Sequence, residues 1–276
     1  MIVLPKSWSH QWQKQDFLKY LFALKGKIYS EQKGRKTLRF TFNDKHYFVK
    51  LHQGVGWKEI IKNLLGFRLP VLGAQNEWRA IQQAEKLGIE TMRLVGYGKT
   101  GWNPARLKSF VITEELADTV SLEDFCRDWP TSPPDSALKH ALITKVAKTA
   151  RMLHEHGMNH RDLYICHFLL NISPIHILPG QKRFDHRIKL YLIDLHRMQI
   201  RRCTPERWRV KDIAALYFSS MDIGLTRRDL LRFIRVYQNK PLRASLYENK
   251  LFWQRVKKRG IAFYKKLHKK NPALIL

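Results

Sequence analysis

The order of secondary-structure signals predicts an α+β protein of two lobes. A small N-terminal lobe, 1–116, is built on an antiparallel sheet with one helix. A larger, mainly helical C-terminal lobe spans 117–276. Three observations carry this. Three strand-like runs joined by tight turns open the chain, the pattern of a meander. One helix and two further strands follow. After Leu116 the pattern changes to long helices interrupted by one pair of short apolar strands. With 276 residues, 44% of them hydrophobic, the chain has enough material to bury a core.

Each element has its own signal. An amphipathic lead-in runs from about Phe17 to Leu24. Lys27–Ser30, Thr37–Phe42 and His46–Leu51 carry alternating, β-branched and aromatic residues, with turns at Lys33-Gly34 and Asn43-Asp44. A Gly-punctuated segment, Gly54–Gly73, contains a helical patch at Trp57–Leu65. The helix proper runs from about Gln75 to Leu87 and stops at Gly88. Thr91–Tyr97 and Ser109–Glu114 are the last strands of this lobe.

Ser121-Leu-Glu-Asp then reads as a helix start, a Ser cap with acids near the positive end of the dipole. Trp129–Asp135 is a Pro-rich loop. A long helix, about Ser136–His156, follows, with Leu138, Leu142, Val146, Thr149 and Leu153 marking its buried face and Gly157 ending it. Phe168–Asn171 and Lys189–Ile193 are short apolar strands. The remainder is helical and very basic, with 20 Lys and Arg against 5 Asp and Glu between 201 and 276.

The whole chain carries 51 Lys and Arg against 23 Asp and Glu, a formal charge of +28. Such a field favours nucleic acid, an anionic membrane face, phosphorylated substrates or an acidic protein. The composition excludes a collagen, a low-complexity linker and a disulfide scaffold. Cys126, Cys166 and Cys203 form no C-x-x-C pair, which fits a reducing cytosol and gives no zinc site. No secretory signal is expected from the N-terminal residues. The longest stretch without charge, Leu163–Gln181, is interrupted by Pro and His residues and reads as buried strands, not a membrane span.

The strongest chemical signal is His160-Arg161-Asp162-Leu163-Tyr164-Ile165-Cys166-His167. It matches the first four positions of the protein-kinase loop H-R-D-L-x-x-x-N and departs at the last. Phosphoryl transfer to a hydroxyl needs a proton acceptor in line with the terminal phosphate, and Asp162 has that chemistry. Lys50 ends the third strand in Tyr47-Phe48-Val49-Lys50, where a lysine neutralises nucleotide phosphates. Glu77 lies on the next helix, suitably placed to hold it. Asp194, after Leu190–Ile193, is a ready Mg²⁺ ligand. These residues, in that order and on those elements, predict a two-lobed protein-kinase-like fold.

The departures are informative. No G-x-G-x-x-G occurs; Gly34 alone sits in the expected turn, so the phosphate lid is expected to combine backbone amides there with basic side chains such as Lys36. Leu195-His196 replaces Phe-Gly after Asp194. His167 replaces the second-metal Asn, and imidazole is a poor Mg²⁺ ligand, so contact with phosphate, packing, or a water completing the shell remain open for it. Thr204-Pro205-Glu206 lies ten residues past Asp194, which leaves little room for an activation loop. Together these point to a small-molecule or glycan kinase. Asp212, opening an apolar helix, is expected to brace the catalytic-loop backbone.

The sequence resembles the bacterial lipopolysaccharide core heptose(I) kinases over nearly its whole length. The resemblance rests on Gly34–Arg39, Tyr47–Lys50, Leu69–Ala74, Glu77–Ile81, His160–Leu170 with its Tyr164-Ile-Cys-His-Phe-Leu-Leu170 run, Ile193–Arg197 and Trp208–Asp229. It implies a cytoplasmic enzyme that uses ATP and Mg²⁺ to phosphorylate the 4-hydroxyl of the first heptose of the inner core. Asp162 is then the catalytic base, and His167 belongs to the family pattern.

The charge agrees with that implied substrate, an acidic glycolipid assembled at the inner face of the inner membrane. The basic tail, with Phe252, Trp253, Phe263, Tyr264 and Leu267 between its lysines, reads either as an interfacial helix or as one packing its aromatics on the helical lobe. An acidic protein such as an acyl carrier protein is a further possible partner. The open alternatives are a kinase of heptose II or Kdo, a protein-tyrosine kinase, a pseudokinase scaffold and a basic nucleic-acid-binding protein. No groove-reading motif supports the last.

Overall fold

The computed structural model describes residues 1–9, 14–32, 34–54, 56–65, 73–173 and 188–273. Two compact units emerge. One comprises 1–83, 92–116 and 195–197; the other comprises 84–91, 117–194 and 198–276.

Among the described residues, the first part of the chain forms β1 (Ile2–Val3), α1 (Lys6–Ser9), α2 (Lys14–Ala23), β2 (Lys27–Gln32), β3 (Arg35–Phe42), β4 (Lys45–His52), α3 (Gly56–Leu65), α4 (Gln75–Lys86), β5 (Leu94–Thr100) and β6 (Lys108–Glu114). The strands make one antiparallel sheet in the order β1-β5-β6-β4-β3-β2. Asn43 and Asp44 both take positive φ, 48° and 59°, so β3 and β4 are joined by a tight two-residue turn whose twist suits a hairpin. Side chains alternate along β4: Tyr47, Val49 and Leu51 are buried in a cluster with Trp8, Phe17, Leu21, Leu38, Phe40, Phe110 and Ile112. Lys50, one residue out of step, is thereby turned to the opposite face.

The sheet differs from expectation at its edge, where β1 adds a sixth strand against β5. A two-residue strand gives no readable period. The unit also holds more than one helix: the patch at Trp57–Leu65 is the full helix α3, and α2 packs Phe17 and Leu21 into the core. Thr91 belongs to no strand of this sheet; it forms a lone parallel bridge to Leu192, with its hydroxyl donating to the Leu192 carbonyl at 2.6 Å. Positions 69–72 of the motif Leu69–Ala74, and 174–181 of the charge-free stretch, lie outside the described residues.

The second part contains β7 (Thr119–Ser121), α5 (Leu122–Phe125), α6 (Ser136–Glu155), β8 (Met158–Asn159), β9 (Phe168–Asn171), β10 (Leu190–Leu192), β11 (Gln199–Ile200), α7 (Glu206–Ser219), α8 (Arg227–Gln238), α9 (Leu242–Glu248) and α10 (Lys250–His268). Ser121 caps α5 through the Asp124 amide. Asp135 caps α6 by accepting from the Ala137 and Leu138 amides. The predicted face of α6 is buried at Leu138, Leu142, Val146, Thr149 and Leu153. Gly157 stops it with φ 74°, and a Cβ there would lie 1.8 Å from the Arg201 carbonyl oxygen. The helix end and the segment after Asp194 therefore meet at a position only glycine fits.

Of the two readings of the basic tail, packing is the one observed. Phe252, Trp253, Val256 and Tyr264 of α10 are buried, and Gly260 lets it approach α7 so closely that a Cβ would meet the Tyr217 ring at 2.6 Å. Among the described residues no helix is long and apolar enough to cross a membrane.

Candidate active site

In the first unit, Lys50 and Glu77 meet. The Lys50 ammonium donates to Glu77 Oε1 at 2.6 Å, and the Glu77 side chain is 2% exposed. An apolar strand face fixes the Lys50 side, and Trp78 and Ile81, both buried, fix α4. Gly34 takes φ 77° in the turn between β2 and β3, and its carbonyl accepts from the Gln53 amide at 2.8 Å. Lys36 pairs with Leu51 and so shares the sheet face of Leu38 and Phe40; contrary to expectation, the register does not bring it to the Lys50 face. Two residues beyond Lys50, His52 is buried and its Nε2 has no hydrogen-bond partner. Burial, together with the positive field of Arg35, Lys50 and His196, pushes its imidazole down to about 3. Cationic side chains, an orphaned donor nitrogen and a glycine turn fit a polyphosphate.

In the second unit, the loop after β8 is held from below. Arg161 has φ 76°, an unfavourable conformation for a residue with a side chain. It turns successive amides the same way, and both reach one carboxylate: His160 N–H donates to Asp212 Oδ2 at 2.6 Å and Arg161 N–H to Asp212 Oδ1 at 2.8 Å. Asp212 is fully buried. His154 Nε2 lies 3.3 Å from Asp212 Oδ2, and its Nδ1 lies 2.8 Å from the Tyr237 hydroxyl. Burial raises Tyr237 well above the usual phenol range, so it stays protonated and donates. This leaves His154 Nδ1 as acceptor and Nε2–H as donor to Asp212.

The same logic assigns two further rings. His160 Nε2 is 3.0 Å from the Ile193 carbonyl and must donate to it; burial lowers its pKa, so the ring is neutral. His167 Nδ1 donates to the Asp162 carbonyl at 2.7 Å. Its other nitrogen, Nε2, stands 3.9 Å from Asp194 Oδ2. Asp194 has φ 62°. A carboxylate oxygen, suited to a divalent ion, and an imidazole nitrogen, a poor ligand for Mg²⁺, thus stand side by side. The described residues contain no group of three or more His, Cys, Asp or Glu able to hold a metal. A divalent ion here would take its remaining ligands from phosphate and water, as Mg²⁺ usually does. Cys166 takes no part as thiolate, because burial pushes its thiol up to about 11.

One neighbour of Asp162 was not singled out from the sequence. Lys211, on α7, brings its ammonium to 3.9 Å from Asp162 Oδ1. It sits one residue before Asp212, so the helix that braces the loop also sets a cation beside its carboxylate. A lysine in a helix of a basic tail gives no sequence signal of its own. The structure thus groups Lys50 with Glu77, and groups Asp162, His167, Asp194 and Asp212.

A separate apolar cavity of about 90 Å³ lies among the helices of the second unit, lined by Leu122, Trp129, Leu142, Ile213, Phe233 and Trp253 among others.

Comparisons with known proteins fall on the same chemistry. The description "Lipopolysaccharide kinase (Kdo/WaaP) family" matches residues 19–237. The lipopolysaccharide core heptose(I) kinase WaaP of Pseudomonas aeruginosa is 50% identical over 246 residues, covering 89% of each chain. The enzyme of the same name from Escherichia coli K12 is 48% identical over 259 residues, covering 93% of this chain and 95% of that one. A solved structure described as WaaP in complex with acyl carrier protein superposes with a TM-score of 0.80 at 42% identity, covering 96% of this chain and 99% of the other.

Proposed function

Because the chain belongs to the lipopolysaccharide kinase (Kdo/WaaP) family, we propose that it is the ATP-dependent phosphotransferase that phosphorylates the 4-hydroxyl of heptose I in the lipopolysaccharide inner core. The observation that carries this is near-50% identity, over about nine-tenths of the chain, to enzymes named for that reaction. The Asp162 loop and the Lys50–Glu77 pair supply the matching chemistry.

The roles divide as follows. Lys50, held by buried Glu77, binds the nucleotide phosphates, with the Gly34 turn beside them. Bound ATP, with its divalent ion, supplies an activated phosphoryl group. Asp194 would hold that ion, with phosphate and water oxygens completing its shell, and His167 Nε2, 3.9 Å from Asp194, would face the phosphate. Asp162 orients the acceptor hydroxyl and takes its proton as the oxygen attacks. Lys211, 3.9 Å from Asp162 Oδ1, offsets negative charge gathering at the reacting oxygens. Asp212 holds the loop backbone in its strained shape.

Partners and place follow from charge and surface. At +28 the protein is drawn to anionic surfaces, and we propose that it works in the cytoplasm on the inner face of the inner membrane. The exposed apolar residues of α3 support this: Trp57, Ile61 and Leu65 recur at helical spacing, are 55%, 51% and 77% exposed, and are flanked by exposed Lys58 and Lys62, while Ile60 is buried. An acidic acyl carrier protein is the proposed protein partner, by likeness to the solved complex.

The test is transfer of labelled phosphate from ATP to purified inner-core glycolipid lacking phosphate on its heptoses, with the product site mapped. Label at the 4-position of heptose I is expected. Label on another inner-core sugar, or on tyrosine, would replace this reading.

A further inference from the structure

The indole of Trp208, near the start of α7, is surrounded by positive charge. The Arg161 guanidinium lies 5.4 Å from its ring centre, that of Arg207 5.6 Å, the Lys211 ammonium 5.7 Å and the Arg201 guanidinium 5.9 Å. These groups come from the Asp162 loop, the segment after Asp194 and helix α7. An aromatic ring attracts each cation weakly, but four like charges around one ring repel one another.

The neighbouring sequence is itself basic. Between Met198 and Lys211 the sequence has five basic residues and one acid, Glu206. Glu206 is engaged by Arg255. Arg201 is oriented by neutral oxygens, donating to Asn159 Oδ1 and Gln199 Oε1 at 2.6 Å each, so its direction is fixed and its charge remains. Asp162 lies 3.9 Å from Lys211 and is the group assigned to the acceptor hydroxyl. Arg207 is exposed, so the cluster opens to solvent.

We infer that Arg161, Arg201, Arg207 and Lys211, arranged on Trp208, form a subsite for carboxylate or phosphate groups carried by the acceptor saccharide. Anions held there anchor the sugar whose hydroxyl meets Asp162. Guanidinium groups suit this task because their planar donors match carboxylate and phosphate oxygens in pairs. The inference rests on the kinase reading above and adds what makes the acceptor recognisable beside its hydroxyl.

The experiment uses the full chain, with Arg207→Ala, Arg207→Glu and Arg207→Lys variants whose melting temperatures match the parent. Binding of an inner-core oligosaccharide retaining its acidic groups is measured by calorimetry without ATP, beside the same oligosaccharide with its carboxyls reduced and phosphates removed. The expected result is an affinity for the acidic form at least about tenfold weaker in Arg207→Ala, the scale of a lost charge-assisted contact. Arg207→Glu is weaker still, Arg207→Lys is partly restored, and no variant differs on the neutral form. In turnover, the acceptor KM rises in Arg207→Ala while the KM for ATP stays constant. Equal losses on both oligosaccharides, a change confined to the KM for ATP, or unchanged binding would each overturn the proposal. Calorimetry needs no phosphate transfer, so failure of the kinase reading registers separately, as absence of label on any sugar.

Discussion

Asp212 accepts the backbone N–H of Arg161 at 2.8 Å, and Arg161 is the residue of the Asp162 loop with a left-handed backbone, φ 76°. The carboxylate stabilises a turn that the side chain alone disfavours. Asp212→Asn leaves one acceptor oxygen for three donors, the two amides and His154 Nε2–H, and puts an NH2 group where an acceptor stood. We expect a stability loss of about 1–3 kcal/mol, the cost of one unsatisfied buried group, and a kcat drop of at least about tenfold as Asp162 loses its position. Urea midpoints and steady-state rates check both. A variant with full kcat would detach Asp212 from catalysis.

Asp162→Ala should keep the fold and lose at least about a hundredfold in kcat, the scale of a removed acid or base. Lys211→Ala should lower kcat less, with the nucleotide KM unchanged, because Lys211 faces Asp162. Rate measurements at saturating acceptor, with circular dichroism to verify folding, decide the matter. Near-normal turnover in Asp162→Ala would remove it from the mechanism.

Removing one partner of a buried pair differs from removing both. Lys50→Met strands the carboxylate of Glu77, 2% exposed, and should cost about 3–5 kcal/mol as well as nucleotide use. Adding Glu77→Gln should return most of that stability while ATP use stays poor. Chemical denaturation and the KM for ATP of both variants form the check. Recovery of activity in the double variant would mean that Lys50 acts through structure alone.

Acid should destabilise the protein through its neutral buried imidazoles. His52 titrates near 3 and His160 is also lowered, both below the ordinary value of 6.5. Below pH 6.5 the unfolded chain therefore binds protons that the folded chain refuses, and stability falls with pH until the folded-state value is passed. Each such group contributes about 1.4 kcal/mol per pH unit in that window. Between pH 6.5 and 5, His52→Leu should lessen the decline by about 2 kcal/mol. Urea titrations at both pH values test this; an unchanged slope would mean that His52 is not the responsible group.

The α3 surface is tested with vesicles. The wild-type chain should sediment with phosphatidylglycerol-containing vesicles and far less with phosphatidylcholine alone. Trp57→Ser with Leu65→Ser should weaken binding about tenfold or more, the expected effect of two large apolar groups leaving the interface. Binding that is indifferent to these changes would place membrane contact elsewhere.

Much of this was legible because the informative patterns were local. Alternation in β4 sets Lys50 apart from Tyr47, Val49 and Leu51. The spacing in α6 marks its buried face, and Asn43-Asp44 announces a hairpin. Asp212 is marked by the apolar run it opens, but α7 begins six residues earlier, at Glu206, so the aspartate lies within the helix and not at its head. What escaped depends on distant segments meeting. Lys211 acquires meaning only when α7 lies under the Asp162 loop, and the cations around Trp208 arrive from three places in the chain. Strands of two residues, such as β8 and β11, are too short to show a period. In α3 apolar residues occupy much of the wheel, so periodicity does not say whether Ile60 or Ile61 turns inward.

The segment that follows Asp194 is stitched down. Gln199 and Ile200 pair with Asn159 and Met158, the Arg201 amide donates to the Gly157 carbonyl at 2.9 Å, and the Thr204 hydroxyl donates to the Met158 carbonyl at 3.2 Å. Signalling enzymes use the corresponding stretch as a latch that a modification releases. Here that stretch is short and tied to the backbone of the loop it would have to unlock. Its shape is set by backbone pairing with the loop itself, with no added group needed to hold it.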